Sequence, residues 1–243
     1  MTVRWAWLLA AATSSSCGSE SAGPPAPSPA TTSTSRAEVR VSGWLTGTAS
    51  PGAPPPPVAG ATICIVGRPE TVCVASNAVG FYELSVPANA RLTLSYAAPE
   101  HVTTRVPLTT FEWDVPIAMR LTTTATASAF ASAAGFAFPD ATAGYVILEA
   151  PPGSVTTLRS AAGVAAGPFY TDGAGAPSPG ATSVASGGFV AWARVPEGPF
   201  VIEFSPERAA ACMFADNGWD RTPRSIAGHA TAGDITLLAI DCR

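Results

Sequence analysis

Two histidines, five cysteines and a thin scatter of carboxylates are all that this 243-residue chain offers to reaction chemistry. His101 follows Pro99 in what reads as a turn. His229 sits in Ala227-Gly228-His229-Ala230, which reads as an exposed loop, and neither histidine belongs to a recognisable catalytic motif. The chain holds no Gly-x-Ser-x-Gly elbow, no Walker loop and no His-Glu-x-x-His segment. A catalytic site would have to be gathered from residues such as Asp172, Asp216, His229 and Asp234, whose spacing gives it no support. The expectation is therefore a protein without catalytic residues, cofactor or metal. The run Asp216-Asn217-Gly218-Trp219-Asp220 alternates oxygen ligands as calcium would want, but it lacks the closing bidentate glutamate. An Asn-Gly turn with solvated carboxylates accounts for the same letters. Trp219 invites another reading, in which an indole on a disulfide-held loop joins Phe169 and Tyr170 as a platform for a sugar ring or a partner side chain. Against that stands the ordinary fate of tryptophan, which is to fold back onto the body of the protein.

The cysteines fit structural work better than catalysis. Residues Met1 to Cys17 read as an export signal, with Arg4 as a small positive start and Trp5 to Ala12 as an apolar run too short to span a bilayer. Ser14-Ser15-Ser16-Cys17 resembles a bacterial lipoprotein processing site, although the leucine usual at its first place is missing. The competing reading is ordinary cleavage after Ala10-Ala11-Ala12, releasing a soluble protein. Lipidation of Cys17 would leave Cys64, Cys73, Cys212 and Cys242 as an even set for two disulfides. Pairing outward from a hairpin loop at Gly67-Arg68-Pro69-Glu70 sets Cys64 opposite Cys73, at a separation that a disulfide can bridge. So short a ring contributes about 2.5 to 3 kcal/mol in the loop-entropy picture, and a Cys212–Cys242 ring about 3.5 to 4 kcal/mol.

Such residues need a scaffold, and the stretch from Asn77 to Pro87 shows its kind. Gly80 gives a turn its backbone freedom, and Tyr82, Leu84 and Val86 then alternate with polar neighbours until Pro87 stops the strand. A related unit returns from Gly188 to Pro196. Composition agrees with many short strands: 22 glycines and 24 prolines stand against only 12% charged residues. The net charge is −4 and all 13 basic residues are arginines without a stripe, so nucleic acid is not expected as a partner.

In chain order, residues 1–17 form the signal and 18–37 a Ser/Thr/Pro/Ala tether with little to bury. A first β module spans 38–121, with strands expected around Glu38–Ser42, Ala61–Val66, Phe81–Val86, Arg91–Tyr96, Val102–Pro107 and Val115–Leu121. Residues 122–143 are Ala- and Thr-rich and read either as a short helix over Thr124–Ala134, with Phe130 docked on a module, or as a plain linker, since Thr and Ser are many. A second, divergent module spans 144–243. It opens with Tyr145–Glu149, carries Ser160–Ala185 as a long loop, and ends in a strand over Ile235–Ile240.

Gly60-Ala61-Thr62-Ile63-Cys64-Ile65 and Ser76-Asn77-Ala78-Val79-Gly80-Phe81-Tyr82-Glu83-Leu84-Ser85-Val86-Pro87 resemble the carboxypeptidase regulatory-like domains. There a "Gly-Ala-x-Val" strand leads to a "Thr-Asp-x-x-Gly-x-Phe-x-Leu-x-Val-Pro" strand in a transthyretin-like sandwich. Ser76-Asn77 replace the usual Thr-Asp, and Asn89 stands near where a glycine usually follows. The resemblance covers about a third of the chain and implies a sandwich and an accessory role, not an activity. The expected whole is all-β: two small antiparallel β-sandwiches in an exported, lipid-anchored, non-enzymatic protein of the bacterial cell envelope. Its partners would be the membrane, through the lipid, and an envelope protein or glycan. The alternative is a structural spacer with no ligand of its own.

Overall fold

Alternation of apolar and polar residues builds the first half of the chain. The computed structural model describes residues 37–48, 53–68, 73–205, 212–214, 217–222 and 224–242. Cys17, the tether as far as residue 36 and Asp216 lie outside them. The first half contains β1 (Glu38–Thr46), β2 (Thr62–Ile65), β3 (Val74–Ala75), β4 (Phe81–Pro87), β5 (Arg91–Ala97), β6 (Thr104–Thr109), β7 (Val115–Pro116) and β8 (Met119–Arg120). In β1 and β4 every second residue is buried, and the two strands pair antiparallel from Glu38–Pro87 to Trp44–Phe81. The turn before β4 is held by Asn77, whose Oδ1 accepts from the backbone N–H groups of Val79 and Phe81, each at 3.0 Å. Gly80 has φ +75°, and a Cβ there would lie 2.4 Å from the Leu45 carbonyl oxygen, so conformation and space both require glycine.

The sheet made of β4, β1, β7 and β8 faces a second sheet containing β6, β5, β2 and β3. Val39, Val41, Leu45, Leu84 and Val86 meet Ile63, Leu94, Val106 and Leu108 between them. Tyr82 and Tyr96 reach across this core with their hydroxyls 2.9 Å apart. The expected Cys64–Cys73 disulfide is present, with a Cα–Cα distance of 4.5 Å. Its register continues the ladder Thr62–Ala75 and Ile63–Val74, as the sequence predicts.

The expected helix α1 (Thr124–Ala134) forms. Thr123 caps it by accepting from the Thr126 N–H, and Gly135 at φ +81° closes it by donating to Ala131 and Ser132. The second half contains β9 (Ala143–Glu149), β10 (Thr156–Ser160), β11 (Ala166–Tyr170), β12 (Phe189–Pro196), β13 (Gly198–Phe204), β14 (Cys212–Phe214), β15 (Trp219–Thr222), β16 (Ser225–Ala230) and β17 (Ile235–Cys242). The sheet β10-β13-β16-β15 packs on β11-β12-β9-β17 around Val146, Leu148, Val190, Trp192, Phe200, Ile202, Ile226 and Leu238.

These two sandwiches share a sheet. β17 pairs parallel with both β9 and β6, so one nine-stranded sheet runs from β11 through to β3. The described residues accordingly belong to one compact unit. Leu238 points into the second core while Leu237 packs on the first, so the two smaller sheets lie on opposite faces of the shared one. Most pairings are antiparallel as expected; those of β17 with β6 and β9, and of β1 with β7 and β8, are parallel.

Three segments read as loops are strands. β11 lies inside the long Ser160–Ala185 loop: its Gly167-Pro168 pair signals a turn, but at the sheet edge a strand tolerates both through a register shift. β15 and β16 arise from a stretch of small and polar residues without a clear apolar alternation. In β16 Gly228 lies directly opposite Phe200, and a Cβ would meet that ring at 2.7 Å. His229 is thus in a half-buried strand opposite Pro199, not in an exposed loop.

Candidate functional site

The outer face of β9, β12 and β17 forms three cross-strand rows. Tyr145 neighbours Ile235; Ile147 lies between Ala191 and Leu237; Glu149 lies between Phe189 and Ala239. The first row is closed, because Tyr145, Ile235 and Ala193 are buried beneath Ala127 of α1 together with Val102. Phe136 and Phe138 complete that cover with ring centroids 5.9 and 4.9 Å from Tyr145, whose hydroxyl donates to the Ala137 carbonyl at 2.9 Å. In the next two rows Ala191 and Ala239 are too small to fill the space, and a cleft of about 950 Å³ opens there.

Phe130 and Phe189 form one wall, 5.8 Å apart. Thr48, Arg120 and Thr122 of the first sandwich form the other, and the Gly173–Pro177 segment lies at the rim. The volume and the largely aromatic and aliphatic lining suit a small apolar ligand. Charge is confined to the open end, where Glu149 rises from the floor and Arg120 faces it. Glu149 is reachable by solvent but ringed by apolar groups; their poor solvation pushes its carboxyl above the usual range, and Arg120 opposes that shift.

Residues singled out from the sequence sit elsewhere or in supporting roles. Phe169 packs on Phe136 at 5.2 Å, behind the closed end of the cleft. Tyr170 is buried in the second core, with its hydroxyl 3.4 Å from the Thr156 N–H that donates to it. Trp219 donates its indole N–H to the Leu92 carbonyl at 2.9 Å, and the adjoining Asp220 pairs with Arg91. The indole is therefore a strut between the second half and β5, and it shares no partner with Phe169. The neighbouring Asn-Gly pair is not a solvated turn: Asn217 is buried and accepts from the Ala239 N–H at 3.0 Å, while Gly218 donates to Pro107. His101 lies at the expected turn, its Nδ1 2.7 Å from the Pro99 carbonyl oxygen. The backbone sets Cys212 directly opposite Cys242 in the β14–β17 ladder. Among the described residues, no group of three or more His, Cys, Asp or Glu could hold a metal ion.

Sequence reasoning missed Glu149, Arg120 and the aromatic walls. The signal available was the pair of small residues, Ala191 and Ala239, at the middle of otherwise bulky strands.

No protein-family model matches the chain, the carboxypeptidase regulatory-like domains included, and no curated protein matches it. Solved structures do align. A search finds the Bacillus anthracis TIE protein at 10% identity and a TM-score of 0.28, covering 84% of this chain and 33% of that one. The shaft pilin spaA from Lactobacillus rhamnosus GG aligns at 10% identity and 0.26, over 85% of this chain and 98% of its own. The minor pilin GBS52 from Streptococcus agalactiae aligns at 8% identity and 0.26, over 84% and 96%. The chain thus spans a third of the first protein and nearly the whole of the two pilins. At such TM-scores the superpositions carry no argument about family or role.

Proposed function

We propose that this chain is an exported, non-catalytic binding module of the bacterial cell envelope that holds an apolar ligand in the cleft between α1 and the shared sheet. The observation that carries the reading is the hollow floor over Ala191 and Ala239, preformed and walled by Phe130 and Phe189. Export rests on the N-terminal sequence, and the Cys17 lipid would tether the folded part to a membrane. An oxidising compartment agrees with the Cys64–Cys73 disulfide. Native mass spectrometry of the mature protein, recovered from the envelope without organic extraction, tests this. The expected result is a bound apolar small molecule on the parent protein, lost in Ala191→Phe, together with an acylated N-terminus. A ligand-free parent protein, or an adduct indifferent to Ala191→Phe, overturns the binding reading; a clean start at Thr13 overturns the anchor.

A second reading, that of a structural spacer, is favoured by the single sheet running through both sandwiches, which joins them without a linker to bend. It predicts an empty cleft in protein recovered from its native setting.

A further inference from the structure

The cleft is graded in polarity along its length. Its inner end is sealed by Phe136, Phe138 and Tyr145, and among the described residues nothing charged lines that end. From its end wall at Tyr145 the cleft runs over an open floor at Ile147 and Glu149 and spans four residues of β9, about 13 Å at the usual strand rise, to its mouth at Glu149. There the lining becomes Glu149 and Arg120, with Thr48 and Thr122 beside them. The two charges are of opposite sign, and neither makes an ion pair among the described residues. A ligand with a long apolar body can fill the inner part, and a head that carries both charges can meet both side chains at the mouth. A purely anionic head would face Glu149 and a purely cationic head would face Arg120, so each would be repelled at one of the two places.

We propose that the cleft takes a single-chain zwitterionic amphiphile, its chain over Ala191 and Ile147 and its head group spanning Glu149 and Arg120. This rests on the cleft being a binding site and adds the chemical class of its ligand. The occupant is one lipid molecule withdrawn from a membrane, not a bilayer surface: the cleft admits a chain lengthwise, and among the described residues no basic patch lines it to hold an anionic surface.

The test uses the mature protein and alkyl detergents of one chain length, each as monomer below its micelle concentration, followed by isothermal titration calorimetry. Dodecylphosphocholine is expected to bind about tenfold more tightly than dodecyl maltoside, and more tightly than dodecyl sulfate or dodecyltrimethylammonium. Glu149→Gln and Arg120→Gln should each abolish that preference, weakening dodecylphosphocholine binding about tenfold. Ala191→Phe and Ala239→Leu, which fill the floor, should abolish binding of every detergent; circular dichroism of the parent type in either one secures the result against misfolding. Equal affinity for all heads, or strongest binding of dodecyl sulfate, refutes the zwitterion and leaves the apolar cleft standing. Binding to phosphatidylcholine vesicles but not to monomer refutes the single-molecule occupant. No binding of any detergent, or binding that survives both floor variants, refutes the cleft as a site.

Discussion

Removing one oxygen atom from the first core should be among the costliest conservative changes in this protein. Tyr82 has a single hydroxyl hydrogen, donated to the Ile117 carbonyl at 2.9 Å, so the 2.9 Å contact with Tyr96 must be a bond in which Tyr96 donates and Tyr82 accepts. Tyr82→Phe therefore breaks both bonds at once and leaves the Ile117 carbonyl and the Tyr96 hydroxyl unpaired, the latter fully buried. Two lost bonds at about 1 kcal/mol each, plus the desolvation left unmet on two groups, give a loss of about 2 to 4 kcal/mol. Tyr96→Phe removes only a donor, because Tyr82 keeps its bond to Ile117, and should cost about 0.5 to 1.5 kcal/mol. In the double variant the orphaned Tyr96 hydroxyl is gone, so its loss should fall short of the sum of the two single losses by about 1 kcal/mol. Guanidinium denaturation of the four proteins measures the cycle. A Tyr82→Phe loss below about 0.5 kcal/mol, or strict additivity, would refute the bonding scheme. The same burial raises the Tyr82 hydroxyl to about 12 and that of Tyr96 well above its ordinary value. Each group is kept protonated by the fold, so its contribution to stability is intact below the unfolded pKa of about 10 and is lost as the pH climbs through the folded values. Alkaline unfolding should begin above about pH 10 and be shallower in the double variant.

Other consequences follow from the same contacts. Replacing Cys64 and Cys73 together by serine opens a ring with a sequence separation of 9, worth about 2.6 kcal/mol, and should lower Tm by about 5 to 10 °C in a scan without reductant. Glu149→Gln should raise Tm near neutral pH, because a carboxyl whose pKa is raised on folding costs stability once it is ionised; the gain should vanish at about pH 3.5, below the usual glutamate range. Trp219→Phe, which leaves the Leu92 carbonyl without its indole donor, should cost about 1 to 3 kcal/mol by denaturant titration, more than an exposed platform residue would. The opposed backbones of Cys212 and Cys242 lead us to expect a disulfide there, visible as one linked peptide pair in an unreduced digest; a Cys64–Cys212 peptide would contradict it.

The strands that can be read in the sequence are those whose burial is one-sided. β1, β4 and β13 alternate because one face meets a core and the other meets water or polar neighbours. Helix α1 was legible from alanine content alone; its Thr123 and Gly135 caps emerge only in the structure, and its buried face is only Ala127 and Ala131. β11 and β16 were not, because glycine, proline and alanine look like loop residues unless the partner is known, and β15 was not, because Trp-Asp-Arg-Thr after an Asn-Gly pair reads as part of a polar turn. Gly228 makes sense only once Phe200 is seen opposite it. The sharing of one sheet was hidden for a different reason. β17 reads equally well as a terminal strand of the second half, and its parallel pairing with β6 depends on contacts some 130 residues apart, such as the Arg105–Asp234 ion pair, that no local pattern records. The cleft was least legible of all. It is a deficit of side-chain volume at Ala191 and Ala239, and its two charges come from strands of different sandwiches.

Whether that cleft is the binding surface can be settled by nuclear magnetic resonance of the parent protein with a spin-labelled alkyl phosphocholine, its nitroxide at the chain end. The account predicts line broadening centred on Tyr145, Ile147, Ala191 and Leu237, relieved by unlabelled dodecylphosphocholine and absent in Ala191→Phe. Broadening centred instead on the exposed rings of Trp44 or Trp113, or none at all at saturating probe, would contradict it.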